Sequence, residues 1–165
     1  NTPAASGGLA VNRMQFLRDL IHNSMLVAPV TAWVVAQLLK AIYGRIKSGK
    51  FAAERLVGPG GMPSSHAAMT TALVVMVGRV ESVASPVFAI AVVLTAIVMY
   101  DAMGVRWHAG QQAKVINRLS ELLQKENGLQ LAQEKLKEVL GHRPFEVLMG
   151  AVLGLIIGFV IPASY

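Results

Sequence analysis

Four long apolar segments dominate this sequence of 165 residues. They occupy residues 25–43, 63–78, 86–105 and 144–161. A straight helix needs about 20 residues to cross the hydrocarbon core of a bilayer, and only 63–78 falls clearly short of that length. Each segment alone also fits a buried helix of a soluble protein, but four in so short a chain favour a membrane protein. The predicted fold is an all-α integral membrane bundle with about four membrane-embedded helices and additional amphipathic surface helices.

The segments between these apolar stretches are polar and predict surface elements. Residues 14–23 have the pattern of a short amphipathic helix, and residues 41–61 form a basic linker that ends in glycines. In 111–140, apolar residues recur every three or four positions with Lys and Glu between them. This pattern predicts one or two amphipathic helices with a break near Asn127.

Two units follow one another along the chain. Residues 1–23 form an N-terminal tail with its amphipathic helix, and residues 24–165 form a single membrane-embedded domain. This domain carries a polar helical insertion at about 107–141. The first residues, NTPAASGG, are small and polar, which is typical of a flexible tail. A start at Asn1 fits either the remnant of a processed organellar leader or a truncated chain.

The distribution of positive charge predicts how the bundle is oriented. If all four apolar segments cross the membrane, the first and third end where the second and fourth begin, and we call this the basic side. All of the 15 Lys and Arg residues lie on it except Arg13, Arg18 and Arg79. The positive-inside rule places the basic side in the cytoplasm, or in the stroma or matrix of an organelle, with the plastid thylakoid as one such membrane.

Composition also excludes several classes of function. The sequence has 54% hydrophobic residues and a formal charge of +6, which fits a protein that faces anionic lipid headgroups. Basic and aromatic residues are not interleaved, and this argues against nucleic-acid binding. Because the sequence has no cysteine, disulfides, thiolate zinc sites and cysteine nucleophiles are excluded.

The second apolar segment begins with a set of small and polar residues, GGMPSSHAA. A helix N-terminus carries unpaired N–H groups and a partial positive charge. Ser64 and Ser65 therefore fit either a plain N-cap or an oxyanion site. Gly61 permits a close approach of the backbone, and a plain cap has no use for His66 just inside the helix. The pattern predicts a phosphate site at this end of the segment.

Another histidine stands at the start of the fourth segment, in LGHRPFEVLMG. His142 and Glu146 are four residues apart, so on a helix Glu146 would accept a hydrogen bond from one imidazole nitrogen. The other nitrogen would stay free as a nucleophile. The same pair has the spacing of two metal ligands, with Asp101 as a third. A surface histidine at a membrane boundary is the simpler alternative.

Further polar residues fall on the basic side. Asp101 ends an apolar run and needs a partner there, for which Arg106 is the nearest cation in the sequence. The pair fits a structural ion pair as well as a direct role. Lys40 ends the first segment, Gly104 lies near the end of the third, and Arg143 precedes the fourth. The topology predicts that all of these residues converge.

Three motifs in this order resemble one branch of a known superfamily. GGMPSSHAA, YDAMGVRWHAGQQA and LGHRPFEVLMGAVLG are similar to the divergent branch of the type-2 phosphatidic acid phosphatase and vanadium haloperoxidase superfamily, called acid phosphatase/vanadium-dependent haloperoxidase-related. The resemblance covers about residues 23–161. It implies His142 as the nucleophile toward phosphorus, Glu146 as the acid that orients it, and His66 as the general acid. It also implies phosphate binding by Ser64 and Ser65.

The sequence departs from the superfamily pattern at several positions. Ser65 replaces the motif glycine, and Glu146 replaces an aspartate. Leu136 stands where an arginine is expected six residues before the nucleophile, and Trp107 stands where the branch has a second arginine. The superfamily's Lys-x6-Arg-Pro motif is absent as such. The candidate substitutes for the missing cations are Lys40, Arg106 and Arg143.

The resemblance implies a membrane phosphatase that hydrolyses a lipid monophosphate through a phosphohistidine intermediate, without a metal or other cofactor. Phosphatidylglycerophosphate, phosphatidate and isoprenoid phosphates all fit a site at headgroup level. The missing arginine and the small size fit a second hypothesis, a non-catalytic accessory subunit of a photosynthetic or respiratory membrane complex. A third is a vanadate-dependent halide oxidase, against which a lipid-embedded site argues. The expected partners are membrane lipids, and either the subunits of such a complex or further copies of the chain in a homo-oligomer.

Overall fold

The computed structural model describes residues 5–48, 61–127, 135–136, 138 and 141–164. These residues form six α-helices and no strand. The helices are α1 (Ala5–His22), α2 (Ser24–Ser48), α3 (Ser65–Val80), α4 (Pro86–Met103), α5 (Val105–Asn127) and α6 (Pro144–Val160). The all-α prediction is confirmed.

The four predicted apolar segments correspond to α2, α3, α4 and α6. Two stretches, Ser24–Ile46 and Pro86–Lys125, are long and apolar enough to cross a membrane by length and composition. The helices α3 and α6 are apolar but shorter, with 16 and 17 residues. The chain is therefore a membrane helical bundle in which two long helices accompany two shorter ones.

Helix α3 lies in the middle of the bundle and packs against α2, α4 and α6. Its contact with α6 depends on Gly150, Gly154 and Gly158, which recur every four residues on the face of α6 that meets α3. A β-carbon at Gly150 would collide with the carbonyl oxygen of Ser64, and one at Gly154 would collide with that of Ala68. Small residues at this spacing allow two helix backbones to approach closely in a membrane.

Small residues also line the face of α2 that meets α3. Ala28, Ala32 and Ala36 are fully buried, and their spacing of four places them along one face of the helix. Ala32 and Ala36 belong to the same apolar cluster as Ala68 of α3. Lys40 continues this face by one more turn and is only 6% exposed. The alanine stripe thus ends in a buried ammonium group.

The outward face of α4 is apolar, and no described part of the chain covers it. Ile90, Val93 and Ile97 are 66%, 59% and 61% exposed, whereas the buried residues of this helix are Ala91 and Ala102. So large an apolar surface is unfavourable in water. Within a bilayer it contacts acyl chains, and the backbone polar groups are already paired inside the helix.

On the side of the bundle opposite the basic side, polar contacts join separate segments of the chain. The Arg79 guanidinium, at the end of α3, donates hydrogen bonds of 2.6 Å and 2.7 Å to the carbonyl oxygens of Gly158 and Ile161. The Ser24 hydroxyl donates to the carbonyl oxygen of Ser164 at 2.5 Å. Helices α3 and α6 therefore end on the same side, and both begin on the other.

Some boundaries differ from those predicted. Helix α1 begins at Ala5, so part of the predicted tail is helical. Helix α2 continues to Ser48, into the predicted linker, whose residues 49–60 lie outside the described residues. Helix α5 begins at Val105, directly after α4, and ends at the predicted break, Asn127. The predicted second amphipathic helix falls largely outside the described residues.

Candidate functional site

The start of α3 gives two adjacent serines different environments. Ser64 is the N-cap, and its hydroxyl oxygen accepts a 3.3 Å hydrogen bond from the backbone N–H of Ala67. Ser65 is the first residue of the helix, and its hydroxyl oxygen accepts a 3.2 Å hydrogen bond from the Lys40 ammonium. The plain-cap interpretation therefore describes Ser64, whereas Ser65 faces a buried cation.

The loop before α3 lies along the side chain of Lys40. Gly61 has φ +90°, and a β-carbon built on it would lie 3.6 Å from Cδ of Lys40. Glycine adopts this left-handed backbone conformation without steric cost. The loop thus follows the aliphatic stem of the lysine, whose ammonium reaches the first turn of α3.

The backbone of His142 is attached to the end of α4. Its N–H donates a 2.9 Å hydrogen bond to the carbonyl oxygen of Ala102. Because α4 ends at Met103, this carbonyl is one of those that lack a partner within the helix. The break at Gly104 therefore supplies the acceptor that fixes the position of His142.

Gly141 allows the chain to pass close to the start of α5. Its φ is +84°, and a β-carbon there would collide with the backbone of Trp107. Both the backbone conformation and the lack of space require glycine at this position. Gly141 therefore allows the residue that follows it to reach Ala102.

The two predicted histidines meet at the basic side. The ring centroids of His66 and His142 are 6.0 Å apart, in an edge-to-face arrangement with an interplanar angle of 78°. His142 is 3% exposed, whereas His66 is exposed. The structure therefore brings the starts of α3 and α6 together, with one imidazole buried and the other accessible.

The surroundings of His142 favour its neutral form. Neither ring nitrogen has a hydrogen-bond partner among the described residues. Burial lowers the pKa of the imidazole from 6.5 to about 4, and the positive charges of Lys40, His66 and Arg106 act in the same direction. At neutral pH the ring is uncharged and holds a free lone pair inside a cluster of cationic groups.

Glu146 does not take the position that the sequence pattern predicted. His142 lies before the first residue of α6, Pro144, so the helical spacing argument does not apply to the pair. The Glu146 carboxylate accepts a 3.2 Å hydrogen bond from the backbone N–H of Arg143. Its backbone carbonyl accepts a 2.9 Å hydrogen bond from the N–H of Ser64. Glu146 therefore stabilises the start of α6 and joins it to α3.

The remaining predicted cations occupy different positions. The Arg106 guanidinium forms a 2.5 Å ion pair with the Asp101 carboxylate, with side chains 52% and 38% exposed. This is the pairing predicted from the sequence, and it ties the end of α4 to the start of α5. Arg143 is the N-cap residue of α6 and is exposed. Of the predicted cations, Lys40 and Arg106 are the ones whose positive charge acts on His142.

The carboxylates that would complete a metal site with His142 are engaged elsewhere. Asp101 pairs with Arg106, and Glu146 accepts from the N–H of Arg143. Within the described part of the chain, no group of three or more His, Cys, Asp or Glu side chains is arranged to hold a metal ion. The described geometry gives the alternative metal site no support.

Sequence reasoning missed several residues that build the site. Ala102 acts through its backbone carbonyl, which no side-chain pattern reveals. Gly141 is an isolated glycine in a polar region, and no sequence pattern marked it as part of the site. The repeat of Gly150, Gly154 and Gly158 was readable as a small-residue motif for close helix packing. It fixes the distance between α3 and α6, and hence between the two histidines.

Comparison with known proteins agrees with this description. The profile of the divergent PAP2 family matches residues 21–157. The uncharacterized membrane protein YuiD of Bacillus subtilis (strain 168) is 37% identical over 152 residues, which cover 87% of this chain and 96% of YuiD. No solved structure gives a significant match.

Proposed function

The chain belongs to the divergent PAP2 family, and on that premise we propose that it is a membrane phosphatase that hydrolyses a lipid monophosphate. The observation that carries this proposal is the environment of His142. A buried, uncharged imidazole without a hydrogen-bond partner among the described residues lies 6.0 Å from the ring of an accessible histidine, His66. A phosphoryl group bound at the basic side, where α3 and α6 begin, would have both imidazoles next to it.

The proposed reaction has two displacements. In the first, a ring nitrogen of His142 attacks phosphorus, the bond from phosphorus to the lipid oxygen breaks, and His66 gives that oxygen a proton. In the second, water attacks the phosphohistidine while His66 takes a proton from the water. The phosphorus–nitrogen bond breaks, which releases inorganic phosphate and restores His142.

Positive charge near His142 supports the transition state. Burial is the main cause of the lowered pKa of His142, and the positive charges of Lys40 and Arg106 lower it further. The same charges would attract the oxygens of a phosphoryl group. Lys40 adds a donor beside the first turn of α3, where Ser65 and the helix N-terminus favour an anion. Such fixed donors stabilise the charge that spreads over the phosphoryl oxygens during transfer.

The position of the site supports a lipid substrate. The apolar surface of α4 ends beside it, with Ile97 61% exposed. A phosphate headgroup at the site would leave its apolar chain within the bilayer. Phosphatidylglycerophosphate, phosphatidate and isoprenoid phosphates share this chemistry. The excess of Lys and Arg on the basic side supports a site that faces the cytoplasm, stroma or matrix, the stroma if the protein is in a plastid thylakoid.

The test is phosphate release from these three lipids in detergent micelles by the full chain. The His142→Asn variant removes the nucleophile and is expected to abolish release. His108→Asn changes a histidine outside the imidazole pair and is the matched control. Acid-labile, base-stable labelling of the protein by radioactive substrate reports the phosphohistidine. Undiminished release by the His142→Asn variant would refute the assigned role.

One observation favours a second candidate, a non-catalytic accessory subunit of a photosynthetic or respiratory membrane complex. The acid that the resemblance implies as the orienting group, Glu146, instead accepts from the N–H of Arg143. Purification from native membranes distinguishes the two candidates. A stoichiometric place in a larger complex, without turnover of any of the three lipids, would support the accessory subunit.

A further inference from the structure

Helix α5 has three different faces. One is buried and contains Gly110, Ala113 and Asn117, at spacings of three and four residues. Ala113 and Asn117 are 6% and 8% exposed. On this face, Asn117 is hydrogen-bonded to Leu136 and Glu138. The other two faces are exposed, and they differ in chemistry.

The covered face is held by specific hydrogen bonds. The Asn117 amide nitrogen donates at 2.9 Å to the carbonyl oxygen of Leu136, and the Leu136 N–H donates at 3.0 Å to the Asn117 amide oxygen. The Lys135 ammonium forms a 2.8 Å ion pair with the Glu121 carboxylate. These bonds fix which side of α5 faces the described residues Lys135 and Leu136.

The second face is an apolar stripe on a helix outside the bundle. Val115, Ile116, Leu119 and Leu122 are 66%, 52%, 54% and 51% exposed. Their spacing places them along one side of the helix. Exposed apolar patches of this kind mark surfaces that bind a partner or a membrane.

The third face is basic and adjoins the stripe. Lys114, Arg118 and Lys125 are all exposed. Arg118 and Lys125 neighbour stripe residues at three- and four-residue spacing, and Lys114 lies one turn before Arg118 on the same face. A helix that combines an apolar stripe with a flanking row of Lys and Arg lies in the interface of a membrane that contains anionic lipid. The charges of this row select an anionic surface over a neutral one.

The position of α5 supports a bilayer as the occupant. The helix begins at Val105, one residue after the membrane-embedded helix α4 is interrupted at Gly104. Its first turn is therefore held at the level where α4 leaves the apolar part of the membrane. The bilayer surface is therefore next to the first turn of α5, which favours the bilayer over a partner that would have to be recruited.

We propose that α5 lies in the headgroup region of the leaflet on the basic side. Its apolar stripe enters the acyl boundary, and Lys114, Arg118 and Lys125 bind the phosphates of anionic lipids. This proposal concerns a different surface from the imidazole pair and does not depend on the phosphatase activity.

The test uses the absence of cysteine from the sequence. Spin labels are attached to the single-cysteine variants L119C and R118C of the full chain. The proteins are reconstituted in vesicles of equal parts phosphatidylcholine and phosphatidylglycerol. We expect the label at position 119 to be several-fold more accessible to oxygen than to an aqueous nickel complex, and the label at 118 to show the reverse. Equal exposure of both labels to the aqueous reagent would overturn the proposal.

Two further measurements separate the contribution of the basic row from that of the apolar stripe. In vesicles of phosphatidylcholine alone, the contrast between the labels is expected to fall, and the same contrast there would overturn the role of the basic row. Replacing Lys114 and Lys125 together by Gln should reduce the contrast in the anionic vesicles. Dipolar broadening between labels at position 119 would show that a second copy covers the stripe, which would also overturn the proposal.

Discussion

The backbone N–H of His142 donates a 2.9 Å hydrogen bond to the carbonyl oxygen of Ala102. This bond joins the start of the fourth apolar segment to the end of the third, just before the helix break at Gly104. The imidazole is therefore placed through the backbone and not through an acidic side chain. Its ring nitrogens are buried and have no partner in the described ranges.

Gly141→Ala is expected to displace His142. The left-handed conformation costs a residue with a β-carbon about 1–2 kcal/mol, and the added carbon would also collide with the backbone of Trp107. Phosphatase activity should fall much further than helix content measured by circular dichroism.

The matched control for this change is Gly61→Ala. Gly61 has a similar φ of +90°, but its β-carbon would be in ordinary contact with Lys40, at 3.6 Å. The control carries the backbone strain without the collision. Equal losses of activity in the two variants would contradict the role assigned to the close approach of Gly141 to Trp107.

Acid should destabilise the protein through His142. Its pKa is about 4 in the folded protein, below the ordinary value of 6.5. Between these values the unfolded chain binds a proton that the folded protein does not, so the free energy of unfolding falls as the pH is lowered. The full shift corresponds to a loss on the order of 3 kcal/mol.

The measurement is thermal unfolding in detergent between pH 7 and pH 4. The His142→Asn variant lacks this titration, so its melting temperature should depend less on pH than that of the parent protein. Parallel curves for the two proteins would show that His142 is not the group responsible.

Gly154→Val should separate α3 from α6. The new side chain would meet the Ala68 carbonyl and the backbone of Ala72. Overpacking of this kind costs about 1–3 kcal/mol. The melting temperature should fall, and His66 and His142 should move apart. Leu155→Ala, at a 43% exposed position of the same helix, is the control and should change the melting temperature little.

Lys40→Met should lower activity without lowering stability. Methionine fills a similar volume, and replacing a buried charge by an apolar side chain is often neutral or stabilising. Loss of one charged donor to the phosphoryl oxygens typically lowers kcat by about 10²–10³-fold. Lys125→Met, at an exposed position of α5, is the control, and an equal loss of kcat there would contradict a specific role for Lys40.

Much of the fold followed from the sequence because long apolar runs and their polar ends report directly on helices in a membrane. The starts of α3 and α6, at Ser65 and Pro144, lie close to the predicted starts at residues 63 and 144. The counting of crossings placed Ser65, His66, His142 and Lys40 on one side, where the structure has them in contact or close to one another.

The details of the site could not be predicted from the sequence, because they depend on backbone atoms and on residues distant in sequence. Helical periodicity assigned Glu146 to His142, but the helix begins only after His142. The acceptor for the His142 backbone, Ala102, is a buried alanine whose carbonyl is free only because its helix ends nearby.

The sequence by itself determined which segments enter the membrane, which side is basic, and which polar residues share that side, since hydrophobicity and charge act on each segment separately. Only the tertiary structure decided three properties of the site. Lys40 donates a hydrogen bond to Ser65, Glu146 caps the start of α6, and His142 is buried and uncharged. These properties arise from distances between helices. The glycines of α6, the alanines of α2 and the break at Gly104 set those distances together.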